Sequence, residues 1–359
     1  MKNFSFRKLG YAFLPVVLPT ALLGQSGLDV ELAPLASFGG GDGWLAPGEG
    51  GYSFLGTGNL ERGIAFGNGS LYLVSRAGGN NVRVLNPATG ADLGGLSTTG
   101  ISGGTFSVNM AGVAGDGAIY VGNLTTAVGT PFKVYRWANN TAEPTVAYNV
   151  NPGLPRIGDS FAVHGSGDST VIVASGTGSA GFASFSGGNA TAVAVPSTAT
   201  GDFRLGLALV DANTVVGTQG GSLRLAQFTG ATGSLLLSAP VSATERAVAY
   251  NVVDGLPLLA TLDASSTATA SLVRVYDVSN PSAPTLLAES KNTTGTLAGN
   301  ANGTGSLAWG KLDDGSNVLY AMSSNQGIQA FAVTVVPEPG TYALLAAGIG
   351  GLWLFRRRR

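Results

Sequence analysis

The sequence predicts an all-β fold built from a repeated antiparallel sheet, and three observations support that prediction. The chain has 359 residues, of which 56 are glycine, about twice the usual share. Only 11% of its residues are charged, which is too few for long solvated helices. A motif of alanine between apolar residues recurs through the middle of the chain about every 50 residues, a spacing typical of repeat architectures.

Each repeat begins with the alanine motif and continues with further β-rich runs. The six motifs are Ile64-Ala65-Phe66, Val113-Ala114-Gly115, Phe161-Ala162-Val163, Leu207-Ala208-Leu209, Val248-Ala249-Tyr250 and Leu307-Ala308-Trp309. A second run follows each motif, at 71–75, 118–121, 171–174, 215–217, 258–261 and 318–321. A third run is visible at 82–85, 132–137, 223–228, 272–276 and 328–333, and a looser fourth run at 145–148, 192–195, 235–237 and 286–288. The repeating unit is therefore four short antiparallel strands.

A four-stranded sheet repeated every 40 to 50 residues is typical of the blade of a β-propeller. Small alanines suit the innermost strands, because these strands converge on the axis and leave little room for side chains. The sixth unit ends after its third run, and the β-rich stretch Leu32–Phe38 could supply the missing strand and close the ring. We therefore predict six four-stranded blades closed by an N-terminal strand. Uneven motif spacing and the glycine-rich stretch Gly39–Gly58 leave five or seven blades open.

The N-terminal segment has the pattern of a signal peptide. Three basic residues precede a mostly apolar stretch at 9–23, which is followed by Gly24 and then by polar residues. This stretch is shorter than the roughly 20 residues of a membrane-spanning helix and is interrupted by two prolines. We therefore predict export, with residues 1–24 as the signal peptide and residues 25–335 as the β domain.

The C-terminus combines a short motif, an apolar stretch and a basic tail. The motif is Pro337, Glu338 and Pro339, the apolar stretch is 342–355, and the tail is Arg356, Arg357, Arg358 and Arg359. The two prolines hold the motif extended, in a form that a processing enzyme could bind. As a helix the apolar stretch would reach about 21 Å, short of a hydrocarbon core of about 30 Å. We expect a short C-terminal hydrophobic helix that can enter the membrane but is held there weakly, with the arginines kept on the cytoplasmic side.

Residues 336–359 resemble the PEP-CTERM sorting signal of exported bacterial proteins. The resemblance implies a Gram-negative host, export through the Sec translocon, and temporary anchoring in the inner membrane through the C-terminal helix. It also implies processing by an exosortase-type membrane enzyme and delivery to the cell surface or the extracellular exopolysaccharide matrix.

The central part of the chain, residues 58–335, resembles a family of exported, PEP-CTERM-linked proteins whose propeller-like domain has no assigned function. The phrases that carry this resemblance are 61–66, 82–92, 101–106 and 133–137. The resemblance supplies a family without a chemistry.

Removal of both terminal signals would leave an acidic protein. The signal segment holds three basic residues and no acid, and the tail holds four arginines, so their removal takes the formal net charge from −1 to about −8. A negative surface disfavours nucleic acid and anionic membranes as partners.

The residue inventory excludes several kinds of catalytic site. The chain has no cysteine and a single histidine, His164, which excludes cysteine nucleophiles, cysteine-ligated metals and sites that need two histidines. We predict that His164 is structural or exposed. The stretch Asp313–Asn317 lacks the alternating oxygen ligands of a calcium loop and is predicted to be a hairpin turn. We expect no cofactor and no metal.

One polar pattern recurs just ahead of four of the predicted innermost strands. It consists of an arginine with an acid nearby, namely Arg62 with Glu61, Arg156 with Asp159, Arg204 with Asp202, and Arg246 with Glu245. In a propeller, the loops that enter the innermost strands surround the usual ligand-binding mouth. A ring of guanidinium groups there could bind the carboxylates or sulfates of an acidic polysaccharide. Alternatively, each arginine pairs with its neighbouring acid or with the next blade.

These observations predict an exported surface or matrix protein with a non-enzymatic binding or structural role, and a glycan or exopolysaccharide as a candidate ligand. The alternative is a carbohydrate-active enzyme on a propeller, either a glycoside hydrolase or a polysaccharide lyase. Such an enzyme would need two carboxylates about 5 to 10 Å apart in an axial cleft, without arginine partners.

Overall fold

Strands make up almost all of the regular structure of this chain. The structure, a computed structural model, describes residues 28–264, 271–291 and 293–337. Within these ranges the regular elements are β-strands and three single-turn 3-10 helices at Gly39–Gly41, Glu49–Gly51 and Gly167–Ser169. Residues Val30–Val336 form one compact unit. The signal segment and the expected C-terminal hydrophobic helix lie outside the described residues.

The strands follow one another as antiparallel meanders. Two N-terminal strands are β1 (Leu28–Pro34) and β2 (Trp44–Leu45). The first meander contains β3 (Glu61–Gly67), β4 (Ser70–Ser75), β5 (Asn81–Leu85) and β6 (Asp92–Gly95). The second contains β7 (Phe106–Val113), β8 (Ile119–Leu124), β9 (Phe132–Trp137) and β10 (Thr145–Val150). The third contains β11 (Ser160–His164), β12 (Val171–Ser175), β13 (Gly181–Ser186) and β14 (Asn189–Ala194).

The second half of the domain repeats the same arrangement. The fourth meander contains β15 (Gly206–Asp211), β16 (Thr214–Thr218), β17 (Ser222–Thr229) and β18 (Thr232–Pro240). The fifth contains β19 (Glu245–Val253), β20 (Leu256–Asp263), β21 (Val273–Asp277) and β22 (Thr285–Glu289). The last group contains β23 (Gly305–Lys311), β24 (Asn317–Ser323) and β25 (Gly327–Pro337).

Two features of the sheet topology decide how these meanders join. The third and fourth meanders form a single eight-stranded sheet, connected by one parallel bridge between Ala194 and Thr232. Strand β25 lies between β24 and β1 and also pairs with β2. An N-terminal strand therefore completes the last sheet as predicted, although β1 ends at Pro34 and so lies earlier than the predicted stretch Leu32–Phe38.

The first strands of the six groups surround a central axis. Strand β3 contacts β7, β7 contacts β11, and the contacts continue through β15, β19 and β23 back to β3. This ring confirms the predicted all-β, propeller-like arrangement. The number of blades stays a prediction, because two of the meanders belong to one sheet.

The hydrophobic core is divided among the spaces between neighbouring meanders. One buried cluster, for example, joins Tyr72 and Val74 of the first meander to Tyr135 and Trp137 of the second. The aromatic polar atoms in this cluster are satisfied, since Trp137 Nε1 donates to the carbonyl of Ser97 at 2.8 Å. Neighbouring meanders thus pack against each other through buried side chains of both.

Candidate functional site

A cavity of about 290 Å³ lies on the axis and is lined by the first strand of every group. Its lining includes the alanines of five predicted motifs, which are Ala65, Ala162, Ala208, Ala249 and Ala308. In the second group the lining alanine is Ala111, and the predicted motif 113–115 lies where β7 ends. A bulge between Phe106 and Met110 shifts the register of β7 and explains the error.

No carboxylate lines this axial cavity in the part of the chain that the structure describes. The pair of unpartnered acids that the enzymatic alternative needs is therefore absent from the cavity wall formed by those residues. Most side chains on its walls are small or apolar, Asn251 and Ser306 are among the polar ones, and no charged residue of the described ranges lines it.

Asp159 and two arginines form an ion-pair cluster at the end of the axis where the first strands begin. Arg156 binds Asp159 through two hydrogen bonds, from Nε to Oδ2 at 2.6 Å and from Nη2 to Oδ1 at 2.7 Å. Arg204, from the next meander, donates from Nε to the same Oδ2 at 3.2 Å. Hydrogen bonds to Asp159 raise the pKa of the Arg156 guanidinium. Because Asp159 is 9% exposed, one buried carboxylate holds two arginines of neighbouring meanders.

Arg62 approaches the loop that leads into β23. Its Nη1 donates to Thr304 Oγ1 at 3.0 Å and its Nη2 to the carbonyl of Asn59 at 2.6 Å. Its Nε is buried without a hydrogen-bond partner. Burial lowers the pKa of Arg62, and the negative charges of Asp159 and Glu61 partly oppose that effect.

Arg246 reaches the same loop from the other neighbouring meander. A Cβ atom placed on Gly303 would lie 2.1 Å from Arg246 Nη1, so the guanidinium occupies the space that this glycine leaves open. The structure shows no ion pair for Arg246 with any carboxylate of the described ranges, and its Nε is buried without a partner. Burial, followed by the positive charge of Arg204, lowers the pKa of Arg246.

Two of the four arginines form ion pairs of the kinds that the alternative interpretation describes, one with the neighbouring acid and one with an adjacent meander. Only Arg156 binds its neighbouring acid, and Arg204 binds Asp159 of the preceding meander. Asp202 instead binds Arg224, with Arg224 Nε 2.9 Å from Asp202 Oδ2. Neighbour pairing therefore accounts for part of the pattern and leaves Arg62 and Arg246 without a close carboxylate.

Glu61 and Glu245 have a common structural role ahead of their arginines. Glu61 Oε1 accepts a hydrogen bond from the backbone N–H of Gly56 at 2.7 Å, and Glu245 Oε1 accepts one from Ser242 at 2.9 Å. Both glutamates are almost fully buried. Each therefore fixes the loop that enters its first strand, which explains why the Glu-Arg dipeptide recurs in the sequence.

Glu245 also belongs to a buried polar network inside the fifth meander. Tyr276 donates its hydroxyl hydrogen to Glu245 Oε2 at 2.9 Å, and Arg274 lies 3.6 Å from Glu245 Oε1 and 2.9 Å from Asp263 Oδ1. Burial raises the pKa of Tyr276, and the charge of Glu245 raises it further. Because an arginine neutralises both acids, this pair does not match the arginine-free carboxylates of the enzymatic alternative.

Sequence reasoning missed a fifth arginine near the same end of the strands. Arg76 follows β4, and its guanidinium lies 3.6 Å from the ring centroid of Phe106. Two of its nitrogens, Nε and Nη1, are buried without a hydrogen-bond partner. Arg76 does not precede a first strand, so the repeat pattern contained no signal for it.

The remaining predicted residues lie away from this mouth or outside the described ranges. His164 is exposed at the end of β11, and Asp313–Asn317 forms the turn between β23 and β24. The described residues contain no group of three or more acidic or histidine side chains that could hold a metal ion. Pro337 is the last residue of β25. Glu338, Pro339, Arg356, Arg357, Arg358 and Arg359 lie outside the described residues. No described helix is long and apolar enough to cross a membrane.

The fold and its axial mouth define a propeller-like protein of the all-β class. Comparison with protein families finds a PEP-CTERM protein-sorting motif at residues 335–359 and a domain of unknown function, DUF4623, at residues 49–215. The chain therefore carries a PEP-CTERM protein-sorting motif at its C-terminus and is similar to the DUF4623 family over residues 49–215, and the resemblance predicted from the sequence is confirmed. A comparison with curated proteins finds no match.

Comparison with solved structures finds proteins of similar fold. A DUF4623 family protein from Bacteroides eggerthii has a TM-score of 0.61 and 18% identity over 77% of this chain and 72% of its own. The major allergen Mala s 1 of Malassezia sympodialis has a TM-score of 0.52 and 10% identity over 77% of this chain and 93% of its own. A gluconolactonase from Xanthomonas campestris has a TM-score of 0.47 and 12% identity over 77% and 86%. At these identities the first two likenesses show the fold alone.

Proposed function

We propose that this protein is an exported, exosortase-processed six-bladed propeller that binds an anionic glycan at its axial mouth without catalysing a reaction. The PEP-CTERM motif supports export and sorting to the cell envelope or surface. The closed ring of contacts among six first strands supports the blade number. A Gram-negative host and retention in an exopolysaccharide matrix are further parts of the proposal.

The observation that carries the binding proposal is that two of the four arginines at the mouth, Arg62 and Arg246, form no ion pair with a carboxylate of the described ranges. The mouth holds one arginine from each of four groups of strands, namely Arg62, Arg156, Arg204 and Arg246. A single buried carboxylate, that of Asp159, binds two of these arginines, Arg156 and Arg204. The guanidinium of Arg246 has no carboxylate partner in the described structure. Arginine binds carboxylates and sulfates in bidentate geometry. An acidic saccharide would supply the missing counter-charge.

A non-catalytic role is favoured by the positions of the acids. The axial cavity has no carboxylate on its described walls. Glu245 and Asp263 share Arg274 as a partner. A glycosidase needs one carboxylic acid that acts as general acid and a second carboxylate that acts as base or nucleophile. Neither the cavity walls nor the pair of Glu245 and Asp263 provides these two groups, so the enzymatic alternative requires a site formed by other residues.

We expect the double variant Arg62→Gln with Arg246→Gln to bind a hexagalacturonate probe at least about tenfold more weakly than the parent, because each lost charge-assisted hydrogen bond is worth about 1.5–3 kcal/mol. Titration calorimetry of the full-length protein measures the effect. The matched control is Lys291→Gln with Lys311→Gln, which removes two positive charges from exposed positions and should leave affinity within about threefold, as expected for charges screened by solvent.

Two results would contradict the proposal. Equal affinity of the arginine variant and the parent would show that the mouth does not bind the probe. Cleavage of the probe, abolished by substitution of a single acid, would establish the enzymatic alternative instead.

A further inference from the structure

A second cleft lies between the second and third meanders, at the opposite end of the first strands from the arginines. Its volume is about 440 Å³, and its lining includes Tyr120, Tyr148, Asp168 and Thr170. Arg156 and Asp159 precede β11, whereas Asp168 and Thr170 follow it in the turn before β12. The cleft is thus separate from the axial mouth, and its volume falls within the range of roughly 300–1,000 Å³ that is typical of small-molecule sites.

Two tyrosines of the second meander form one wall of this cleft. Tyr148 is half-buried and packs edge-on against Phe185, with the ring centroids 5.2 Å apart at 63°. Tyr120 is almost fully buried, and its hydroxyl oxygen accepts a hydrogen bond from Arg136 Nε at 3.2 Å. Both rings are therefore fixed in position before any ligand binds, which lowers the entropic cost of binding.

The opposite wall offers hydrogen-bonding groups and open backbone. Asp168 is exposed, and the hydroxyl of Thr170 has no hydrogen-bond partner although the residue is only 8% exposed. The turn Gly187-Gly188 has φ angles of 55° and 80°, and Cβ atoms at these positions would meet nothing within 4 Å. A ligand can therefore approach this backbone closely.

We propose that this cleft is a second binding site, independent of the axial mouth, and that it takes a neutral saccharide. The apolar face of a sugar ring packs against Tyr148, because aromatic rings combine a large apolar surface with a polar edge. Sugar hydroxyls donate to the Asp168 carboxylate, which is an acceptor when ionised. The Thr170 hydroxyl oxygen is buried in this structure, so in this proposal it reaches the ligand by a change of its χ1 rotamer.

The surrounding charges argue against other ligand classes. Asp168 and Asp116 both lie at this end, and Asp116 Oδ2 accepts a hydrogen bond from the backbone N–H of Gly167 at 3.1 Å, so an anion would be repelled. A cationic ligand would compete with Arg136, whose guanidinium carbon is 6.0 Å from the ring centroid of Tyr120. A neutral polyol avoids both the repulsion by the carboxylates and the competition with Arg136.

The first test uses the full-length protein and three probes, which are cellotetraose, maltotetraose and tetramethylammonium. We expect at least one of the two neutral tetrasaccharides to bind, as measured by saturation-transfer NMR and calorimetry. Asp168→Asn and Tyr148→Ala should each weaken that binding about tenfold, whereas Tyr148→Phe, which keeps the ring, should retain it within about threefold. Binding of neither tetrasaccharide at millimolar concentration overturns the proposal, and so does binding of tetramethylammonium alone.

The second test separates a ligand contact from a structural role for Thr170. Thr170→Val should weaken tetrasaccharide binding several-fold without lowering the unfolding temperature, because a buried hydroxyl without a partner does not stabilise the fold. Thr125→Val is the matched control, since the Thr125 hydroxyl is also buried without a partner. If both variants bind the saccharide like the parent, Thr170 is not part of the site. The Arg62 and Arg246 double variant should retain tetrasaccharide binding, which keeps this test independent of the anionic site.

Discussion

Asp159→Ala should lower the free energy of unfolding by about 3 kcal/mol, because removal of one partner from a buried ion pair leaves uncompensated charge. Asp159 accepts three hydrogen bonds from Arg156 and Arg204, and its charge also acts on Arg62. Without it, guanidinium groups from three groups of strands would face one another at the start of the first strands. Urea denaturation monitored by tryptophan fluorescence measures the change.

The control for this prediction is Asp168→Ala, which removes an exposed carboxylate from the other end of β11 and should change stability by less than about 0.5 kcal/mol. A loss of less than 1 kcal/mol in Asp159→Ala would mean that solvent or the remaining acids neutralise the arginines. Asp159 would then not be the group that joins the third and fourth meanders at the mouth.

Gly206→Ala should destabilise the protein by about 2 kcal/mol, since an added methyl group in a close-packed region forces the backbone to shift. Gly206 begins β15, where a Cβ atom would lie 2.2 Å from the carbonyl oxygen of Arg246 and 2.7 Å from Thr218 Cγ2. The first of these contacts is to the backbone of β19, the next strand of the axial ring, so a change of side-chain rotamer cannot relieve it. Thermal unfolding followed by circular dichroism measures the effect.

Gly56→Ala is the matched substitution, because a Cβ atom at Gly56 would meet nothing within 4 Å. It should leave the unfolding temperature unchanged or slightly higher, since alanine reduces the entropy of the unfolded chain. Equal effects of the two substitutions would contradict the close packing of the first strands. The comparison explains part of the high glycine content, because strands that converge on an axis need positions without side chains.

The sequence predicted those strands whose side chains show the alternation or the β-rich composition typical of a strand. The alternating stretch Phe132–Trp137 is β9 with the bounds that the pattern indicated. Besides the two-residue β2, two strands were not predicted, β6 (Asp92–Gly95) and β13 (Gly181–Ser186). Two of the four residues of β6 are glycine, which has little β propensity. In β13 the two phenylalanines, Phe182 and Phe185, are three residues apart and so do not show the alternation of a strand. Both strands extend because a preceding strand provides hydrogen-bond partners, an effect that single-sequence reasoning does not capture.

The candidate sites were less predictable than the strands. The four arginines were recognisable because they recur at the same place in the repeat. Their partners were not, since Arg204 binds Asp159 from 45 residues away rather than Asp202. The second cleft, between the second and third meanders, is lined by residues of both. No local sequence motif links Tyr120 or Tyr148 to Asp168. Contacts between repeats depend on how the sheets are arranged in space, which residue spacing alone does not specify.

The central position of β25 makes translocation of the last strand a decisive event for this protein. Strand β25 pairs with β1, β2 and β24, so a polypeptide whose secretion stalls before Gly327 would present three strands with unpaired edges. Unpaired edges favour aggregation between molecules. Because β25 ends on Pro337, the first residue of the sorting motif, a chain that displays the complete motif has also delivered the strand that closes its fold. Recognition of the motif by a protease would in this way select molecules able to finish folding.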